Sequence, residues 1–227
     1  MELRQVSQRY RRRGPWVLDG VDLAVASGEA VRVVGANGAG KTTLLRVAAG
    51  LLRPSVGEVR RSGGRVGWAP ERFDGAGRLT ARELLRALAV DPAEVASLAG
   101  ALGLEAWLDR PLGEASKGTR RKVVLAQALG GAPAALVLDE PWSGLDGPAR
   151  AAAAELVERR RADGAAVLLC EHEDGPLRCD RTLALREGAL TDGVAPVRAA
   201  VEVAGDAAAV AALAAEARVR GLEVRER

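Results

Sequence analysis

The chain is poor in several residue types, and each shortage excludes something. Among 227 residues there is one histidine, one tyrosine, one phenylalanine, one methionine and two cysteines. Two cysteines, Cys170 and Cys179, give no disulfide framework and suit a reducing compartment. Cys170, His172 and Cys179 are zinc-type ligands, but three with no clear fourth argue against a zinc site. No run of 18 apolar residues occurs, which excludes a spanning helix. The start, Met1-Glu-Leu-Arg-Gln, has no apolar stretch of the secretory kind. Both point to a protein working in the cytosol. Aromatics are 3% of the chain and the net charge is only +3, so no nucleic-acid footprint is expected. Lysine is nearly absent: Lys41, Lys117 and Lys122 stand against thirty arginines. The Ala/Arg/Gly bias reflects nucleotide composition, so single arginines carry little meaning.

What is present is concentrated in a few places. Val31-Arg-Val-Val is followed by Gly35-Ala-Asn37-Gly38-Ala-Gly40-Lys41-Thr42-Thr43, and then by the helical pattern Leu44-Leu45-Arg46-Val47-Ala48. An apolar strand, G-x-x-x-x-G-K-T and a helix form the context of a phosphate-binding loop. Its glycines let main-chain N–H groups close on a polyphosphate, and the helix adds its positive end. Lys41 is placed to reach the β- and γ-phosphates, and the Thr42 hydroxyl to ligate Mg²⁺.

A nucleotide hydrolase also needs a carboxylate on the metal side and a group to orient water. Ala135-Leu-Val-Leu-Asp139-Glu140 supplies both. Its apolar run reads as a fully buried parallel strand, with two acids at the C-terminal end, where open α/β sheets bind ligands. Asp139 is the candidate metal carboxylate and Glu140 the candidate general base.

Around these motifs the chain resembles the nucleotide-binding subunit of an ATP-binding cassette (ABC) transporter. The resemblance covers about residues 1–195. It rests on order: phosphate loop, the signature-like segment Ser116-Lys117-Gly118-Thr119-Arg120-Arg121-Lys122, the Asp-Glu strand, Pro141-Trp-Ser143-Gly144-Leu145-Asp146, then His172. The resemblance implies an ATPase using ATP and Mg²⁺, a homodimer sandwiching two ATPs, and a membrane permease as partner. It places the protein peripherally on the inner face of the cell membrane. It implies that His172 contacts the γ-phosphate, that Tyr10 stacks on adenine, and that Ser116, Gly118 and Asp146 join the nucleotide site.

Two departures from the family pattern stand out. The signature is Ala115-Ser116-Lys117-Gly118-Thr119 rather than L-S-G-G-Q. The S-K-G form is similar to that of cassettes driving exporters, so export is expected over import. Glu71 stands where the family usually has glutamine; it can still ligate Mg²⁺ but adds negative charge. Alternatives to a transporter subunit are a soluble ABC ATPase and a regulatory cassette with weak hydrolysis. Trp68 to Leu79, with Phe73 as an aromatic anchor, is the expected permease contact.

The expected fold is α/β: a phosphate-loop NTPase core with a mixed sheet, an N-terminal antiparallel portion and an inserted helical subdomain at about 80–133. Strands alternate through 1–35, a helix covers 44–52, and Gly57–Trp68 reads as a hairpin. The four tryptophans, at 16, 68, 107 and 142, read as packing residues. From Pro196 a small appendix is expected: a strand at 200–204, an Ala-rich helix capped by Asp206, and a second strand near Leu222.

Overall fold

Two five-residue strands set the architecture. β6 (Ala135–Asp139) and β7 (Ala166–Cys170) are buried at every position. Such runs are stable only when both faces of the sheet are covered. The computed structural model, which describes residues 1–61, 63–73, 77–88, 90–171 and 175–192, shows that cover on each side. The expected appendix beyond Pro196 lies outside the described residues, as does His172.

Six strands form the central sheet in the order β5-β6-β7-β3-β8-β9. β3 is Ala30–Val34, β5 Val66–Ala69, β8 Arg181–Arg186 and β9 Ala189–Asp192. Neighbours run parallel except β8 and β9. A second, antiparallel sheet orders β2-β1-β4, from Leu18–Ala24, Glu2–Gln8 and Val56–Arg60. The mixed sheet with an antiparallel N-terminal portion is the one expected.

Side chains alternate across the central sheet and divide the core in two. Leu136, Leu138, Val167 and Leu169 face α3 (Pro92–Leu102), α4 (Lys117–Leu129) and α5 (Gly147–Ala162). Val31, Val33, Val137, Leu168 and Cys170 face α1 (Lys41–Ala49) and the antiparallel sheet, through Leu44, Leu45, Val47, Leu3 and Leu18. α2 (Ala81–Ala87) opens with a capping box made by Thr80 and Glu83.

The expected hairpin at 57–68 is not formed. β4 pairs with β1, while the next strand, β5, joins the other sheet beside β6. β4 is mostly exposed, whereas Gly67 and Ala69 of β5 are buried, so the two suit different sheets. Gly67 is required there: a Cβ would sit 2.0 Å from the Ala128 carbonyl oxygen, so only glycine lets α4 lie this close to the strand. α1 also starts at Lys41, earlier than the apolar pattern indicates, and stops at Gly50.

Candidate nucleotide site

The phosphate loop joins β3 to α1. Gly40 sits at φ +102 in the N-cap position, and a Cβ there would lie 2.8 Å from the Val17 carbonyl oxygen. Only glycine satisfies both conditions. Gly35 is as tightly placed, 2.6 Å from the Leu185 carbonyl oxygen by the same measure. α2, α3, α4 and α5 have side-chain caps from Thr80, Asp91, Ser116 and Asp146. α1 has none, and no acid in its first turn. Its opening N–H groups and dipole are therefore available to an anion. The buried Lys41 ammonium donates to the Gly35 carbonyl at 2.6 Å and the Ala36 carbonyl at 3.2 Å, laying positive charge across the loop.

Thr42 Oγ1 donates to Asp139 Oδ2 at 2.8 Å. This bond joins groups 97 residues apart: Thr42 is in α1, which follows β3, and Asp139 ends β6, the two strands being separated in the sheet by β7. Asp139 is 3% exposed, and burial raises its pKa above the ordinary carboxylate value. The Thr42 hydrogen bond opposes the rise, Glu71's negative charge adds to it, and Arg121 and Lys41 oppose it. A desolvated carboxylate beside a hydroxyl is a hard-oxygen pair suited to Mg²⁺. Among the described residues no group of three His, Cys, Asp or Glu could hold a metal alone.

The elevated pKa has a stability consequence. Folded Asp139 binds its proton more tightly than unfolded Asp139, so its contribution falls as pH rises through that window. At neutral pH the ionised group costs stability. Asp139→Asn, which keeps an acceptor for Thr42, is expected to melt at higher temperature than the parent at pH 7, with the difference shrinking toward pH 4. Differential scanning calorimetry without nucleotide checks this; a lower melting temperature at pH 7 would contradict it.

Glu140 follows at φ +50, an uncommon conformation for a non-glycine residue. Its N–H donates to the Cys170 carbonyl at 2.9 Å, and the Ser143 N–H donates to its carbonyl at 3.1 Å. Strain of this kind costs about 1–3 kcal/mol and gathers at functional sites. Glu71 is exposed at the end of β5, and its charge acts on both Asp139 and Arg121.

Tyr10 reaches the same site from the turn after β1. Its hydroxyl lies 2.9 Å from Thr43 Oγ1, while its ring is 61% exposed. Asn37 and Gly38 lie at the exposed crest of the loop, and no atom would meet a Cβ at Gly38.

Ser116, Gly118 and Asp146 form a second group. Ser116 caps α4 through the Thr119 N–H at 3.1 Å, and its hydroxyl lies 2.9 Å from that of Thr119. A Cβ on Gly118 would lie 3.0 Å from the Gly144 carbonyl oxygen, so the signature segment abuts the Ser143–Asp146 loop. Asp146 caps α5 through the Ala149 N–H at 2.8 Å.

Two residues, Glu171 and Arg121, were not visible as site components from sequence. Glu171, 3% exposed, accepts from Trp142 Nε1 at 2.7 Å and from Arg32 at 3.3 Å, so Trp142 packs and also ties two turns together. Arg121, 5% exposed, donates to the carbonyls of Pro70, Asp139 and Pro141. Burial brings its pKa down to about 10. Arg121 shares a helical face with buried Val124, Leu125 and Ala128, at i+3, i+4 and i+7. That phase was the available signal, obscured by basic neighbours. Phe73, the expected aromatic anchor, is half-buried and packs on the helical core, while Leu79 is 46% exposed.

A phosphate loop tied to an acidic strand end, on a largely parallel sheet, defines a nucleoside-triphosphate-binding protein. The family model described as ABC transporter matches residues 18–143. The zinc import ATP-binding protein ZnuC of Cereibacter sphaeroides is 44% identical over 170 residues, covering 72% of this chain and 69% of that protein. The lipoprotein-releasing system ATP-binding protein LolD 1 of Caulobacter vibrioides is 34% identical over 205 residues, covering 78% and 88%. A solved structure of an ATP binding subunit of an ABC transporter superposes with a TM-score of 0.74 at 28% identity, covering 99% of this chain and 95% of the other. The chain spans 64–65% of the length of further zinc import relatives.

The chain belongs to the ABC transporter family, and its class is that of the ATP-binding subunits. The expectation of export over import is not supported: the relative at 44% identity is named for zinc import, and the one at 34% for lipoprotein release.

Proposed function

We propose that this chain binds and hydrolyses Mg²⁺-ATP and powers a separate membrane permease. The observation that carries the reading is the 2.8 Å bond between Thr42 and Asp139, which joins the phosphate loop to the acidic strand end. ATP binds through the loop amides from Gly35 to Lys41, the α1 dipole and the Lys41 ammonium, with Asn37, Gly38, Gly40 and Thr43 lining the loop. The Tyr10 ring stacks on the base; its 61% exposure leaves a face for it. Thr42 and Asp139 would hold Mg²⁺, with Glu71 close enough to act on it, and the metal would supply charge neutralisation at the β- and γ-oxygens.

Glu140 accepts a proton from water as its oxygen attacks the γ-phosphorus. The bond to the β,γ-bridging oxygen breaks, giving ADP and inorganic phosphate. His172 contacts the γ-phosphate in this reading. Ser116 and Gly118 serve the site of a second copy of the chain, an isologous pairing that closes two composite sites. Asp146 supports that interface by fixing the start of α5. Among the described residues no helix is long and apolar enough to cross a membrane. Attachment to the inner face of the cell membrane is then through the permease, at the segment 71–79 with exposed Leu79. Direction and cargo belong to the permease, because the ATP site reads only nucleotide.

The test is ATP-dependent phosphate release by the purified chain, with fractionation of a tagged chain in cells that express the neighbouring genes. Release together with membrane association supports the proposal; no release, or a wholly cytosolic chain, contradicts it.

Glu71 gives a further check. Glu71→Gln removes a negative charge that raises Asp139's pKa, so the ionised, metal-competent form of Asp139 is favoured. Turnover at pH 7 is expected to equal or exceed that of the parent. A drop of about tenfold, on the order of 1.4 kcal/mol in the barrier, would show that Glu71 is a required ligand.

A further inference from the structure

The Arg121 guanidinium holds the backbone on both sides of Glu140. It donates to the carbonyl of Asp139, the residue before, at 2.6 Å, and to that of Pro141, the residue after, at 3.0 Å. Its third contact is the carbonyl of Pro70, which immediately precedes Glu71. One side chain on α4, five residues beyond Ser116, thus ties the start of the signature helix to the end of β6 and the end of β5. Glu140 sits between the two clamped carbonyls at φ +50, a conformation that persists only where the surroundings over-determine it. The planar fork of arginine presents several N–H groups in a fixed arrangement, which a lysine ammonium cannot match.

We infer that Arg121 is a positioning residue for hydrolysis, fixing the aim of the Glu140 carboxylate by clamping the carbonyls of Asp139 and Pro141. The inference rests on the proposed role of Glu140 as general base. Arg121 spends its guanidinium on the backbone carbonyls of Asp139, Pro141 and Pro70 rather than on the phosphate loop. It acts on turnover while the phosphate loop, which carries ATP affinity, is built from other contacts.

The test compares Arg121→Lys and Arg121→Met with the parent, in the full chain. ATP affinity, KM, kcat per binding-competent molecule and melting temperature are measured for each. A displaced catalytic group costs on the order of 100-fold in rate for a shift of about 1 Å. The expected result is a KM and an ATP affinity within about twofold of the parent, with kcat down about tenfold in Arg121→Lys and further in Arg121→Met. Lysine rescues in part because one carbonyl can keep a charged donor.

A merely structural arginine would lower the melting temperature and the fraction that binds ATP, leaving kcat per competent molecule unchanged. That outcome in Arg121→Lys overturns the inference, and the lysine variant decides alone if the methionine variant does not fold. Parent chain without turnover would overturn the ATPase proposal and this inference with it. Parent turnover with undiminished kcat in both variants overturns this inference only.

Discussion

Lys41→Ala is expected to lose ATP binding. The Lys41 ammonium is buried against the Gly35 and Ala36 carbonyls, inside the curve of the loop. Removing one partner of a buried charge pair costs about 3–5 kcal/mol, which corresponds to about 10²–10⁴-fold in Kd. The fold should survive, because the hydrogen bonds lost are to the loop itself and no core side chain changes. Calorimetric titration with ATP checks affinity, and a melting curve checks the fold. Unchanged affinity in a folded variant would remove the phosphate loop from the account.

Glu140→Gln is expected to separate binding from chemistry. Glutamine has the same shape and meets the same φ of +50, but it cannot accept the proton from water. A positioned general base contributes about 10²–10⁴-fold, so turnover should fall by that much while ATP affinity stays near the parent's. The nucleotide should then remain in place, and the ATP-bound variant should accumulate as a dimer by light scattering. Hydrolysis at the parent rate would show that Glu140 is not the base.

Asp139 and Glu140 both sit in a part of the molecule that works against stability. Asp139 is buried against its own ionisation and Glu140 holds a strained backbone angle. Neither feature stabilises the fold. They persist because Thr42, Arg121 and the Cys170 carbonyl over-determine the turn.

The parts of this site that were legible in the sequence are local. The phosphate loop is a contiguous spacing, and its strand and helix flanks are read from adjacent residues. β6 and β7 announce themselves as apolar runs because strands buried on both faces lose the polar alternation. What was not legible depends on partners distant in the chain. β4 and β5 look like a hairpin because they are short, adjacent and separated by Gly63-Gly64. Their true neighbours, β1 and β6, start more than 50 residues away from one or the other. Arg121 sits in a basic string and acquires meaning only when Pro70, Asp139 and Pro141 converge on it. Phe73 reads as an aromatic anchor for a partner because its segment carries glycines and arginines; its packing against the helical core depends on residues distant in the chain. The exporter expectation is unsupported for a different reason: it rested on a short variation in the signature segment, while the relatives are named for zinc import and for lipoprotein release.

The central claim is that one copy of the chain supplies the phosphate loop and acidic turn while a second supplies Ser116 and Gly118. The most direct measurement is Mg²⁺-dependent phosphate release by the purified chain as a function of its own concentration, with Lys41→Ala as the blank. The account predicts release well above the blank, with specific activity rising as concentration favours the pair. Release no greater than that of the Lys41→Ala chain across the whole concentration range would contradict it.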